Sequence, residues 1–149
     1  MHDPIEPTSD SDWAAYYNLR WRVLREPWQQ PLGSERDESD PSAFHLMLKT
    51  SSGEIAGVGR LHFNTPRQAQ VRYMAVDPRW RGRGAGGTIL KMLESRALTQ
   101  GADEIVLNAR EEAIGFYLRH GYAVQGDAET LFGSIRHVRM RKGIAAAST

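Results

Sequence analysis

The stretch from Val71 to Gly87, VRYMAVDPRWRGRGAGG, constrains the fold of this chain more than any other segment. It predicts a strand over residues 71–76, a proline-containing turn over 77–80, and then a glycine-rich loop that opens a helix. A helix N-terminus carries unsatisfied N–H donors and a partial positive charge, and glycine lets a ligand approach the backbone closely. We therefore predict that residues 81–87, the anion-binding loop, contact a phosphate-bearing cofactor. Three arginines add positive charge beside this loop: Arg79, Arg81 and Arg83.

Two common nucleotide-binding loops fit this stretch poorly. Gly82, Gly84 and Gly87 match G-x-G-x-x-G, the dinucleotide fingerprint, which alone is a weak signal. In a dinucleotide fold the first glycine lies at the end of the strand, whereas here residues 77–81 intervene. No Walker lysine follows the loop, so a P-loop is excluded as well. A dinucleotide-binding protein therefore remains only a weak alternative.

Composition narrows the possible chemistry. The 149 residues contain no cysteine, which excludes disulfides, thiolate catalysis and thiolate metal sites. We predict no metal site. The net charge of +1 gives no support for a nucleic-acid or membrane partner, and no apolar run approaches the length of a membrane span. The N-terminus lacks the basic and apolar regions of a signal peptide, so a soluble, cytoplasmic, single-domain protein is expected.

The N-terminal segment predicts one helix. Residues 1–10 are expected to be flexible. Ser9 and Asp12 have the spacing of a capping box, ahead of an apolar pattern that predicts a helix over 12–25, ended by Pro27. The apolar stripe is predicted to be core: Trp13, Tyr17, Trp21 and Leu24. Three arginines are expected on the solvated face: Arg20, Arg22 and Arg25.

Residues 27–41 are too rich in proline and acids to be regular throughout. We predict a surface loop, with a helical turn near residues 34–38. Long loops in compact domains often bind ligands, so its acids either form a solvated surface, attract a cationic acceptor or supply a base. The acidic residues are Glu35, Asp37, Glu38 and Asp40.

The rest of the chain predicts a mixed α/β arrangement. Gly57 and Gly59 lie within a predicted strand and imply a bulge or a close backbone approach. The anion-binding loop and the helix after it connect the predicted strands 69–76 and 105–108, and such a βαβ connection makes these two strands parallel. The predicted strands cover 44–48, 54–63, 69–76, 105–108, 122–125 and 131–141. One predicted helix follows the anion-binding loop and ends near residues 100–101, and another covers 111–120. Residues 126–130 are predicted to form a loop and residues 143–149 a flexible tail.

Arg81, Gly84 and Gly86 spell R-x-x-G-x-G directly after the strand. This pattern resembles the acetyl-CoA site of the GNAT N-acetyltransferase superfamily, and the resemblance covers nearly the whole chain. The segments LNAR at 107–110 and GFY at 115–117 are similar to the second half of that cofactor site. The resemblance implies a single α/β GNAT domain over residues 11–142. Its central, twisted, mixed sheet would have about six to seven strands, flanked by helices on both faces.

A narrower resemblance concerns residues 31–37 and 135–137. They look like the GNAT module that some bacterial proteins carry fused to a hot-dog, thioesterase-like domain. No second domain is expected in this chain, so the acceptor of the fused proteins is not carried over.

The GNAT resemblance implies specific contacts with acetyl-CoA. The pantetheine arm would lie between residues 74–76 and 105–108, which would separate at a bulge. Main-chain groups of Met74 and Val76 would hydrogen-bond to the amides of the arm, and Asn108 would hydrogen-bond to it as well. A main-chain N–H near Met74 or Ala75 would polarise the thioester carbonyl. Phe116 would pack on the cofactor. The residues expected around the pyrophosphate are Arg81, Gly82, Arg83, Gly84, Ala85, Gly86 and Gly87.

The same resemblance implies that Tyr117 is the general acid for the departing thiolate. A phenol with a pKa of about 10 stays protonated at neutral pH and can donate in the transition state. The alternative is an aromatic core residue on an amphipathic helix. The candidate bases are Glu35, His45 and His137, ahead of His62 and His120. Arg60 is either a site for an acidic acceptor group or a structural partner of the acidic loop.

These expectations leave two classes of function. The first is an enzyme that moves an acetyl group from acetyl-CoA to a small-molecule or peptide amine by direct attack in a ternary complex. The second is a non-catalytic acyl-CoA-binding or regulatory module, and acyl transfer to a carrier-linked acceptor is a further alternative. The exposed edge of the final hairpin is a candidate surface for a homodimer.

Overall fold

A computed structural model describes residues 3–144 of the chain. Six strands form one mixed sheet in the order β1-β2-β3-β4-β6-β5, in agreement with the predicted fold class. Four single turns of 3₁₀ helix connect the larger elements. These elements are α1 (Asp10–Leu24), β1 (Phe44–Lys49), β2 (Ile55–Thr65), β3 (Gln68–Val76), α2 (Ala85–Thr99), β4 (Glu104–Arg110), α3 (Ile114–Arg119), β5 (Ala123–Leu131) and β6 (Ile135–Gly143).

Helices pack on both faces of the sheet, as predicted. Tyr16 and Leu19 of α1 are buried against Val58 on one face. On the other face, side chains of α2 and α3, including Leu93 and Tyr117, share a second core with β4 and β6. The sheet therefore separates two apolar layers.

Helix α1 begins as predicted but buries a different face. The Ser9 hydroxyl accepts a hydrogen bond from the Asp12 N–H at 3.1 Å, which caps the helix. Tyr16 and Leu19 are fully buried, whereas three members of the predicted stripe are only half-buried: Trp13, Tyr17 and Trp21. The stripe was therefore wrong for these three aromatic residues and right for Leu24, because the helix turns Tyr16 and Leu19 rather than their aromatic neighbours towards the sheet.

Two arginines expected in solvent are buried. Arg20 is 0% exposed and Arg25 is 7% exposed, while Arg22 lies at the surface as predicted. The Arg20 guanidinium lies 3.0 Å from Asp40, and it also donates to the main-chain carbonyl of Glu35. A buried guanidinium needs such partners, and here a loop that is distant in sequence supplies them.

The loop before β1 contains turns rather than the helical segment predicted near residues 34–38. Of its four acids only Glu38 is exposed, whereas the other three are bonded to groups of the protein. Asp37 and Asp40 lie 2.6 and 2.8 Å from the fully buried Arg60, and Arg72 pairs with Asp37 at 2.8 Å. Burial alone would raise the pKa of Asp37, but hydrogen bonding to Arg60 lowers it to about 2. Arg60 is thus a structural partner of this loop.

The two glycines of β2 allow α2 to approach the sheet, as predicted. A Cβ at Gly59 would lie 2.6 Å from Met74 Sδ and 2.8 Å from Ile89 Cγ2. A Cβ at Gly57 would lie 2.9 Å from Ile89 Cδ1. All three distances are shorter than van der Waals contact, so a side chain at either position would force Met74 or Ile89 to shift.

The C-terminal hairpin corrects another prediction. Residues 126–130, predicted as a loop, belong to β5, because they pair with β6 at Gly126↔Arg139 and Thr130↔Arg136. The chain turns instead at Phe132 and Gly133, both in the left-handed region with φ of 51° and 72°. Strand β6 consequently begins later than predicted and extends to Gly143, while residues 145–149 of the predicted tail lie outside the described residues.

The N-terminal segment is not wholly free. Ile5 exchanges two main-chain hydrogen bonds of 2.8 Å with Met47 on the outer edge of β1, so the predicted flexibility does not describe Ile5. Residues 1 and 2 lie outside the described range. Within residues 3–144 no helix is long and apolar enough to cross a membrane, and no group of three or more metal-binding side chains occurs.

Candidate active site

Strands β3 and β4 pair at one end and separate at the other. Their parallel pairing covers Gln68↔Glu104 to Gln70↔Val106 and ends there. Beyond this point a bulge bends β3, because Tyr73 and Met74 both oppose the single residue Gly59. Tyr73 adopts φ of 57°, an uncommon conformation for an aromatic residue. The bulge opens a wedge-shaped gap between the two strands.

This gap is a cleft, and it brings several predicted site residues together. Met74 contributes from β3, Asn108 from β4, Tyr117 from α3 and His137 from β6. No two of these residues lie on the same element. The separation of β3 from β4 leaves the main chain of residues 74–76 without a partner on the β4 side. The cleft therefore offers both main-chain and side-chain groups to a ligand.

Asn108 has an unsatisfied buried acceptor. Its side-chain carbonyl oxygen is buried and has no hydrogen-bond partner within residues 3–144. Its amide nitrogen donates a long hydrogen bond of 3.4 Å to Glu129. A buried acceptor without a donor costs about 1–3 kcal/mol, and native proteins rarely leave one without a reason. The carbonyl oxygen fits an N–H donor on a molecule in the cleft.

The anion-binding loop leads into helix α2, as predicted. Gly82 and Gly84 adopt φ of 76° and 83°, values that favour glycine, and open space surrounds both α-carbons. Gly84 is the N-cap of α2, and without a side chain it leaves the N–H groups of the first turn uncapped. A Cβ at Gly86 would lie 3.3 Å from the Phe116 ring. The loop is thus exposed at 82–84 and packed against α3 at Gly86.

The three arginines near the loop differ in their partners. Arg79 is paired with Asp77 at 3.3 Å and Glu54 at 3.5 Å, so its charge is already offset. Arg81 and Arg83 are exposed and form no ion pair within residues 3–144. Two of the three predicted positive charges therefore remain available to an anion.

Tyr117 is 7% exposed and lies in an aromatic group. Its ring packs edge-on against Phe116 and Tyr122, with centroids 5.0 and 5.7 Å away. Burial raises the pKa of Tyr117 well above its ordinary value of 10.0, so the phenol remains protonated at neutral and mildly alkaline pH. A protonated phenol in the cleft can donate a proton or a hydrogen bond.

The candidate bases are placed differently. His137 lines the cleft, and its Nδ1 donates to the carbonyl of Ile135 at 3.0 Å, which leaves Nε2 as the acceptor in the neutral ring. Glu35 is buried outside the cleft, where its carboxylate accepts from the Gly33 N–H at 2.8 Å and from Arg36 at 3.1 Å.

The other histidines have local partners. Burial lowers the pKa of His45, whose ring lies between the Tyr16 hydroxyl and the Asp40 carbonyl, at 2.8 Å from each. His62 bonds to Arg60 at 3.1 Å, and the His120 ring packs on Phe116. Only His137 among the named histidines lines the cleft.

The cleft also contains three arginines that sequence reasoning did not place there: Arg25, Arg72 and Arg110. Arg110 lies two residues after Asn108 on β4, and this alternation was the available signal for its position. Arg25 follows the last residue of α1, and no local pattern indicated that it would enter the cleft. Its burial depends on tertiary packing.

Comparison with known proteins gives a consistent result. Residues 13–122 match the model of the acetyltransferase (GNAT) family. The chain is 31% identical over 128 residues to the uncharacterized N-acetyltransferase YjcF of Bacillus subtilis, which covers 86% of this chain and 89% of YjcF.

Solved structures share the fold. A protein from Lactobacillus plantarum superposes with a TM-score of 0.82 at 23% identity, covering 95% of this chain and 97% of that one. An aminoglycoside 6'-N-acetyltransferase complexed with coenzyme A superposes with a TM-score of 0.81 at 14% identity, covering 99% and 100%.

Proposed function

The chain belongs to the GNAT acetyltransferase family, and from that premise we propose that it transfers an acetyl group from acetyl-CoA to an amine. One observation carries the proposal. The separation of β3 from β4 creates a cleft that contains Tyr117 and the unsatisfied Asn108 oxygen. A strand edge that suits a long, amide-rich cofactor arm thus lies beside a candidate proton donor, and this supports the proposal.

The described residues fit the parts of acetyl-CoA. The uncapped N-terminus of α2, with Arg81 and Arg83 beside it, suits the pyrophosphate. The unpaired edge of residues 74–76 suits the pantetheine amides, and the Asn108 oxygen accepts one of their N–H groups. Phe116 packs beside the loop at Gly86, where it would contact the cofactor.

The reaction requires little beyond positioning and proton transfer. When bound, acetyl-CoA supplies a thioester that the amine attacks directly in a ternary complex, so that a C–N bond forms as the C–S bond breaks. The main-chain N–H near Met74 or Ala75 would bond the carbonyl oxygen as charge develops there, a contribution of about 3–4 kcal/mol. Tyr117 would donate its proton to the sulfur as it departs.

The attacking amine must also lose a proton. We favour His137 for this role because it lines the cleft with Nε2 free to accept. Glu35, the other predicted base, is bonded within its own loop, so a catalytic role would require that loop to move.

The test is release of free CoA from acetyl-CoA in the presence of a panel of small and peptide amines, with mass spectrometry of the product. The proposal expects stoichiometric CoA and N-acetylated amine. A non-catalytic acyl-CoA-binding module would bind acetyl-CoA without release, and an acyltransferase specific for carrier-linked acceptors would act only on the carrier. Either result would contradict transfer to a free amine.

Three finer expectations remain proposals. Strand β5 lies at the edge of the sheet with most of its residues exposed, which supports a homodimer through this edge, testable by sedimentation. The likeness of residues 31–37 and 135–137 to a module fused to a hot-dog domain stays a prediction, and so does a cytoplasmic location.

A further inference from the structure

The cleft contains two guanidinium groups that form no ion pair with a carboxylate of residues 3–144. Arg25 donates through Nε to the Ser34 carbonyl at 2.9 Å and through Nη1 to the Leu24 carbonyl at 3.0 Å. Arg110 donates through Nη2 to the same Leu24 carbonyl at 2.9 Å. Neither arginine forms an ion pair with any side chain of residues 3–144. Their donors converge on one oxygen, so two positive charges lie side by side.

This arrangement is unfavourable without an anion. Burial lowers the pKa of Arg25 below its ordinary value, and the charge of Arg72 adds to this effect, whereas Tyr73 and the charge of Glu35 oppose it. Burial also lowers the pKa of Arg110, where the charge of Arg25 adds to it and that of Glu112 opposes it. A buried charge is normally offset by a partner of opposite sign.

The same molecule shows how it neutralises arginines elsewhere. Arg20 and Arg60, both fully buried, share the carboxylate of Asp40 at 3.0 and 2.8 Å. Arg72, which also lines the cleft, is paired with Asp37 at 2.8 Å. Arg25 and Arg110 differ from these three because their hydrogen bonds within residues 3–144 go to main-chain carbonyls rather than to carboxylates.

Aromatic rings lie beside both guanidinium groups. The Arg110 guanidinium lies 4.5 Å from the centre of the Trp28 ring. The Arg25 guanidinium lies 5.6 Å from the Tyr73 ring and 5.5 Å from the Phe132 ring. A guanidinium that lies beside an aromatic ring keeps N–H donors available at its edge, and these suit bonding to an oxyanion.

The pair lies in the cleft that would contain the reacting groups. Arg25 and Arg110 line it together with Tyr117 and His137. The acid in this lining is Glu129, which already contacts the Asn108 amide. An oxyanion between the two arginines would therefore sit close to an amine placed for attack.

We propose that Arg25 and Arg110 bind an acidic group of the acceptor, so that the acceptor is an amine carrying a carboxylate or a phosphate. This inference rests on the proposed function. It extends that function because it names the chemistry that distinguishes the acceptor from a neutral or polycationic amine.

The first test compares matched amines in the CoA-release assay. The common amino acids are paired with their carboxamides, and phosphoethanolamine is paired with ethanolamine. The wild-type protein is expected to show kcat/KM about tenfold or more higher for the acidic member of at least one pair, because charge-assisted hydrogen bonds would be lost in the other. The pair that shows the preference separates carboxylate from phosphate.

The variants Arg25→Gln and Arg110→Gln should each abolish that preference, mainly through KM. Arg22→Gln, on the exposed side of the same helix, serves as the matched control and should retain it. Circular dichroism checks folding, and Arg25→Lys and Arg110→Lys keep the charge if either glutamine variant unfolds. A neutral amine used as well as its acidic partner, or a preference that survives both substitutions, would overturn the inference.

A second measurement separates this inference from the proposed function. N-acetylated amino acids and N-acetylphosphoethanolamine cannot accept another acetyl group on nitrogen, so calorimetric titration with them reports the acidic subsite alone. Saturable binding by the wild type and its loss in both glutamine variants would support the subsite even if no CoA were released, a result that would count against acetyl transfer. No binding of any of these compounds would overturn the inference.

Discussion

At the scale of single residues, the account depends most on Tyr117. Replacing it with phenylalanine removes the proton donor and keeps the ring that packs on Phe116 and Tyr122. We expect kcat to fall by about 10²–10⁴-fold with little change in acetyl-CoA binding. Steady-state kinetics at saturating acetyl-CoA checks this expectation.

The matched control is Tyr122→Phe, which removes another buried phenol, one bonded to Glu94 at 2.9 Å rather than placed in the cleft. It should reduce stability and leave kcat nearly unchanged. Full turnover by Tyr117→Phe would show that Tyr117 is not the general acid.

Because the pKa of Tyr117 is raised, deprotonation of this residue should cause no loss of activity below about pH 10. A loss of activity below that pH must come from the titration of another group.

A second residue-scale prediction concerns pH and stability. The pKa of Asp37 is about 2 in the folded chain and 3.8 ordinarily, so its stabilising effect is present above about pH 4 and is lost as the pH falls towards 2. Asp37→Asn should lower the unfolding midpoint at pH 6 clearly. The difference from wild type should shrink between pH 4 and pH 2. A difference that stays constant across this range would show that the charge of Asp37 does not stabilise the fold.

Residues whose role depends on local sequence were predictable, and those that depend on distant partners were not. The φ values of Gly82 and Gly84 follow from a loop that must turn sharply into a helix. Arg20 and Arg25 were misplaced because their burial depends on groups in a different segment, such as Asp40 and the Ser34 carbonyl. A charged residue on a helix has no sequence signal that reveals a buried counterion.

At the scale of elements, the contact between α2 and β2 supports a stability prediction. Gly59→Ala would place a methyl group against Met74 and Ile89, and should destabilise the protein by about 1–3 kcal/mol. Gly126→Ala on the exposed strand β5 has open space around the new Cβ and is the control. Denaturant unfolding of both variants tests the packing, and equal midpoints would mean that α2 does not approach β2 this closely.

The elements also show where sequence patterns mislead. Residues 126–130 contain Gly126 and Asp127, which favour turns, yet pairing with β6 makes them part of a strand. The bulge in β3 lies at Tyr73, a residue type that gives no local indication of a positive φ. The family resemblance, rather than the composition of the strand, was the reason to expect a separation of β3 from β4.

At the scale of the whole molecule, the two faces of the sheet carry different groups of functional and structural residues. The face under α2 and α3 carries the anion-binding loop and Tyr117. The face under α1 carries the buried charges of Arg20 and Arg60, which fix the loop before β1. The gap between β3 and β4 is open to both faces of the sheet. The proposed cofactor and acceptor would come into contact in this gap.

The most direct test of this arrangement is thermal unfolding with acetyl-CoA, CoA or NADH at about 100 times the dissociation constant. A ligand of the folded state should then stabilise it by about 2.7 kcal/mol, a shift of several degrees for a chain of this size. The account predicts that acetyl-CoA and CoA raise the midpoint and that NADH does not. A shift with NADH alone, or with none of the three, would contradict it.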